Sequence, residues 1–140
     1  MTVTAQGAPP VETYELTGRD GDKQTIRGQH LGHGTSQQGD RDRWFEVDIY
    51  SVETGFVVHT RGCSSLPGET TLSRIRRTRS AFEVVEILTV KRCVVDGRHT
   101  CDIASHEKRL YIPRQSSHAL AQAAQWNDDI RDAYVNRAVL

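Results

Sequence analysis

The segment that most constrains this chain is Arg43-Trp44-Phe45-Glu46-Val47-Asp48-Ile49-Tyr50. Phe45, Val47 and Ile49 alternate with Trp44, Glu46, Asp48 and Tyr50, which is the period of a strand with one buried face. A turn through Ser51–Thr54 returns the chain into Gly55-Phe56-Val57-Val58-His59-Thr60-Arg61. With that loop, Phe56 opposes Ile49, Val58 opposes Val47 and Thr60 opposes Phe45, so the apolar sets fall together. The same pairing sets Glu46 opposite His59 and Trp44 opposite Arg61 on the outer face. A hairpin of this kind needs a further layer to cover its apolar side.

The flanking segments extend the sheet. Tyr14 and Leu16 share one face of a short strand, and Ile26 lies in the next. Between them Arg19-Asp20-Gly21 suits a loop with Gly21 in the left-handed conformation, which pairs Tyr14 with Ile26. Residues 32–42, with Gly32, Gly34 and Gly39 among polar neighbours, read as an exposed, mobile connection. Thr70–Thr78 combines β-branched residues with arginines, as an exposed edge strand would. Ser80-Ala81-Phe82-Glu83 matches a capping box and starts a helix to about Leu88, although its β-branched residues also suit a strand. Val90–Val95 and Arg98–Ile103 flank Asp96-Gly97 as a second hairpin, and Arg109–Ile112 is a short strand ending at Pro113.

The C-terminal stretch is helical. Ser116 or Ser117 caps it, and Ala119, Ala123, Trp126, Ile130, Ala133 and Tyr134 form one apolar stripe. Asn127 and Asp128 could divide it into two shorter helices. The expected fold class is α+β: an antiparallel, meander-like sheet of four to six strands, packed by the C-terminal helix and possibly by a second short helix near 80–89. A flexible arm (1–11) precedes a single domain (12–140). This plan is shared by many unrelated small bacterial and phage proteins, so it carries no function by itself.

No run of apolar residues is long enough to span a bilayer, so no membrane association is expected. The start of the chain lacks a basic stretch followed by an apolar one, as a secretory signal would have. With 3 cysteines, an odd number, a reducing cytoplasmic setting is expected rather than a disulfide framework.

The formal net charge is zero, with 18 basic and 18 acidic residues, but the charges are segregated. Residues 1–72 carry six basic and ten acidic groups; residues 73–113 carry nine basic and five acidic groups. Arg74, Arg76, Arg77 and Arg79 fall with no carboxylate between Glu69 and Glu83. Guanidinium forks suit phosphate or carboxylate oxygens, so these four are the leading binding residues, with Trp44 and Arg61 on the central hairpin beside them.

Three other constellations could carry chemistry. Glu46 opposite His59 would make an acid–base pair on the outer face of the hairpin. His30 and His33 could share a metal with Asp40 or Asp42, though no third ligand is specified. Cys93, His99, Cys101 and His106 are zinc-type ligands, but their spacing lacks the close cysteine pair of recognisable zinc motifs. No cofactor is implied. The expected function is a small non-enzymatic binding or regulatory module that docks a protein partner, possibly a second copy of itself, through a charged surface. The alternatives are nucleic-acid binding through Arg74–Arg79 and a small enzyme using Glu46 and His59.

Overall fold

In the computed structural model, the residues described are 7–95, 97 and 103–136. Five strands, β1 (Val11–Thr17), β2 (Lys23–Thr35), β3 (Arg43–Val52), β4 (Gly55–Ser64) and β5 (Leu72–Thr78), follow one another as an antiparallel meander in the order β1-β2-β3-β4-β5. They lead into α1 (Ala81–Leu88), a two-stranded ribbon of β6 (Val90–Cys93) and β7 (Lys108–Tyr111), then α2 (Arg114–Ala124) and α3 (Asp128–Val135). The architecture is α+β, as expected. Among the described residues no helix is long and apolar enough to cross a membrane.

The first hairpin pairs Tyr14 with Ile26 as read from the sequence. Its turn is left-handed at Asp20 (φ 61°) and Gly21 (φ 80°). The central hairpin differs in register. Ile49 opposes Val58, Val47 opposes Thr60, and Ser51 opposes Phe56. The turn uses only Glu53 and Thr54, so each partner slides by two residues. Sliding by two preserves which side chains share a face, because the strand period is two. The outward set therefore stays together but is re-paired: Glu46 opposes Arg61 and Asp48 opposes His59.

Gly32-His33-Gly34 belongs to a strand rather than to a loop. β2 continues to Thr35, and α2 lies directly on it. A Cβ on Gly32 would come within 2.1 Å of the Ala119 carbonyl oxygen, and one on Gly34 within 1.8 Å of that of Gln115. These glycines are the seat of a helix backbone, not the hinge of a mobile connection.

A bulge interrupts the β2–β3 ladder, where His30 opposes Tyr50 but Gly32 opposes Ile49. The extra residue, Leu31, is buried on the helix side with Val47, Ile49, Phe56 and Val58. Val84, Val85 and Leu88 of α1, Leu120 of α2 and Ile130 of α3 complete this core. Each such side chain contributes roughly 1.5–3 kcal/mol when fully buried. The opposite face is also covered. Leu16, Ile26, Tyr50 and Val57 form a second cluster with Tyr14, Val52 and Ile75. It closes because the sheet curls until β1 and its turn reach β5, where Ile75 meets Gly18.

Ser80 caps α1 as the Ser-x-x-Glu pattern predicts. The Ser80 hydroxyl oxygen accepts from the Glu83 amide at 3.2 Å, and α1 starts at Ala81. The C-terminal helix is divided, since the Asn127 side chain accepts from the Ile130 amide at 3.0 Å and starts α3 afresh. β6 pairs with Lys108–Tyr111. Of the expected partner strand after Gly97, residues 98–102 lie outside the described residues. The segment 1–11 is not wholly an arm: Val11 starts β1, and the Pro9 carbonyl accepts from the Gln29 side chain at 2.7 Å.

Candidate functional site

The face of the central hairpin that carries Trp44, Glu46, Asp48, Tyr50, His59 and Arg61 is the concave side of the curled sheet, not a solvent face. Asp48, Tyr50 and His59 are buried. Polar groups so placed need partners, and Asp48 finds its partners within this cluster, while Arg61 Nε is left buried without one among the described residues. His30 Nε2–H donates to Asp48 Oδ1 at 2.7 Å, and His33 Nδ1–H donates to the same oxygen at 2.9 Å. Arg61 Nη2 reaches Asp48 Oδ2 at 2.9 Å and Glu46 Oε1 at 2.8 Å. Trp44 Nε1–H donates to Glu46 Oε2 at 2.7 Å. The cluster draws on β2, β3 and β4 together.

The bulge makes this arrangement possible. Residues three apart on a regular strand point to opposite faces, so His30 and His33 would separate. Leu31 adds one residue and turns His33 onto the face of His30. Both rings spend one nitrogen on a single carboxylate oxygen, so the nitrogens outside this contact are His30 Nδ1 and His33 Nε2. Asp40 and Asp42 are not part of the cluster. Glu46 and His59, expected as a pair, are separated by the register: His59 Nε2–H donates instead to the Thr17 carbonyl at 3.0 Å, tying β4 to β1 across the curl.

Burial tends to raise the Asp48 carboxyl, but hydrogen bonds from His30 and His33 and their charge outweigh it and hold it below the usual carboxylate range. Burial pushes the Tyr50 phenol up to about 12, reinforced by the charge of Asp48. Burial also pushes the His59 imidazole down, so it sits neutral in the curl. Tyr14 and Tyr50 pack as tilted rings beside His30, with ring centroids 5.0 Å apart for Tyr14–Tyr50 and for His30–Tyr50. The outcome is one anchored carboxylate carrying two half-exposed imidazoles of set orientation.

Trp44 and Arg61, expected as binding residues, are spent within this network. The four arginines of the edge are not. Among the described residues β5 pairs with β4 alone. Arg74 and Arg76 stand opposite Thr60 and Val58, and Arg77 stands opposite Val57 on the other face. Arg77 donates to the Gln24 side-chain oxygen at 3.4 Å. Among the described residues none of Arg74, Arg76, Arg77 and Arg79 forms an ion pair. Of the carboxylates that flank the stretch in sequence, Glu69 is taken by Arg43 and Ser64, which hold its carboxyl down at about 2. Leu72 and Phe82 flank the stretch, 74% and 51% exposed.

Of the zinc-type quartet, the structure brings Cys93 Sγ to 3.4 Å from His106 Nδ1, while His99 and Cys101 lie outside the described residues. Among the described residues no group of three or more His, Cys, Asp or Glu side chains is arranged to hold a metal ion. The residues that sequence reasoning missed are His30, His33 and Asp48 acting as one group. The signal was Gly32 inside a strand pattern, which marks a bulge. Comparison with protein-family models, with curated proteins and with solved structures finds no match to this chain.

Proposed function

We propose that this chain is a small binding module that docks an acidic protein surface through β5. The observation that carries this reading is the edge strand with three arginines and Arg79 directly after it, none of the four ion-paired among the described residues, beside Glu69 already engaged elsewhere. Exposed Leu72 and Phe82 at its ends favour a protein partner over a phosphate backbone, because arginine mixed with aromatic and aliphatic side chains is the composition of protein interfaces. A second copy of the chain, acidic in residues 1–72, would meet the same requirement. A cytoplasmic setting goes with this reading.

The test is titration of a labelled polyglutamate peptide and of a labelled DNA duplex at low salt, with light scattering of the protein alone. The peptide is expected to bind, or the protein to self-associate, with about tenfold loss in the Arg76→Glu/Arg77→Glu double variant and steep weakening on adding salt. Duplex binding tighter than peptide binding would select nucleic acid instead. Neither binding nor self-association would overturn the proposal.

One observation favours a second reading, acid–base catalysis on the concave face. Asp48 engages one ring nitrogen of His30 and one of His33, which leaves the second nitrogen of each half-exposed ring outside this bond. The pair for this reading is therefore His30 and His33 on Asp48, in place of Glu46 and His59. Turnover of any substrate abolished by His33→Gln in a folded protein would select it.

A further inference from the structure

The two-stranded ribbon of β6 and β7 stands off the rest of the fold. Among the described residues its strands have each other as neighbours and make only marginal contact with any other strand or helix. Its register pairs Val90 with Tyr111, Lys91 with Leu110, Arg92 with Arg109 and Cys93 with Lys108. Directly opposed residues of an antiparallel pair share a face, and the faces alternate along each strand. One face therefore carries Val90, Tyr111, Arg92 and Arg109. The other carries Lys91, Leu110, Cys93 and Lys108.

Arg92 and Arg109 stand directly across from each other, and like charges so placed destabilise a strand pair. Both residues are exposed, and neither forms an ion pair among the described residues. The Arg92 guanidinium lies over the Tyr111 ring, 5.0 Å from its centroid, which holds it on the face of Arg109. Glu107, the one carboxylate on the ribbon among the described residues, is exposed and pairs with neither arginine. On the opposite face Lys108 spends its ammonium on the carbonyls of Ile103 and His106, at 2.9 and 3.2 Å. Two guanidinium groups are thus held side by side with no anion between them.

From this cross-strand arginine pair on a projecting ribbon, we propose that the Arg92–Arg109 face enters the major groove of duplex DNA. That groove, about 12 Å wide, admits a two-stranded β-ribbon. Guanidinium forks match both phosphate oxygens and the O6 and N7 acceptors of guanine. The face differs from β5, where exposed Leu72 and Phe82 favour a protein partner. Here the apolar members, Val90 and Tyr111, are part-buried and leave the two arginines as the exposed surface. The ribbon shares no residue with β5, so one chain joins an acidic protein surface to DNA.

The test is fluorescence anisotropy of a labelled DNA duplex titrated with the full chain at low salt. Arg92→Glu/Arg109→Glu is expected to weaken duplex binding about tenfold or more and to flatten the slope of log affinity against log salt by about 2. Lys91→Glu makes the same kind of charge change on the other face and is expected to cost less than about threefold. Arg109→Gln, expected to cost about threefold, reports on the site should the double variant lose its thermal midpoint. Arg76→Glu/Arg77→Glu is expected to leave duplex binding intact. In the Arg92→Glu/Arg109→Glu protein, comparing polyglutamate peptide with duplex then tests β5 alone, so each reading fails separately. No duplex binding by the parent, loss as large in Lys91→Glu as in the arginine pair, or loss confined to the β5 variant would overturn the proposal.

Discussion

His30 Nε2–H meets Asp48 Oδ1 at 2.7 Å across the β2–β3 pair, joining a half-exposed imidazole to a buried carboxylate. The residue that decides what else reaches that oxygen is Leu31, which contacts neither group in this network and sits in the core on the other face. One bulge thus serves two purposes. It fills the helix-side core and delivers a second histidine to the concave side.

Asp48 makes stability fall in acid. Its carboxyl lies below the usual range in the folded chain, so the unfolded chain binds the proton first as pH drops. The contribution is complete above the unfolded carboxylate value, about 3.9, and is lost as pH falls through the folded one. Asp48→Asn is expected to cost roughly 2–4 kcal/mol at neutral pH, because Arg61 and both histidines lose their anion. Urea unfolding at several pH values should show a shallower acid decline in the variant than in the parent. An equally steep decline in both would place the acid sensitivity elsewhere.

The contact of α2 with β2 admits no side chain at Gly34. Gly34→Ala puts a Cβ 1.8 Å from the Gln115 carbonyl oxygen, so the helix must move. A loss on the order of 3 kcal/mol is expected, as for overpacked core sites. Gly62→Ala is the control: its nearest neighbour is a Phe45 ring carbon at 3.6 Å, an ordinary contact. Its unfolding midpoint should stay close to the parent's in a thermal melt, while that of Gly34→Ala drops.

Asn127 is what makes two helices of one. Asn127→Ala removes the acceptor of the Ile130 amide and is expected to cost about 1 kcal/mol. The effect should be local, appearing as faster hydrogen exchange at the Ile130 amide, with Asn127→Asp retaining protection. Unchanged exchange in the alanine variant would mean that packing of Ile130, not the cap, holds α3.

Much of the sheet was legible because local patterns agreed with the fold. Strict alternation in 43–50 marked β3 and sorted its side chains by face, and the Ser80–Glu83 box marked the start of α1. The pairings were less legible. The turn between β3 and β4 was read as four residues where the structure uses two, and both lengths keep the apolar residues together, so pattern alone does not choose between Glu46–His59 and Glu46–Arg61. Gly32 and Gly34 looked like loop residues since nothing local distinguishes a glycine needed for flexibility from one needed for close approach.

The sequence by itself determined most of the elements, the two faces of the central strands and the segregation of charge, all of which depend on neighbours a few residues away. Only the tertiary structure decided that the polar face of the central hairpin is interior, that His30 and His33 converge on Asp48, and that Arg74–Arg79 remain without carboxylate partners among the described residues. The physical reason is that curl and bulge are set by long-range packing. The sheet closes over its own polar side chains because β1 reaches β5 and α2 presses on bare backbone, and neither contact is written in the spacing of any one segment.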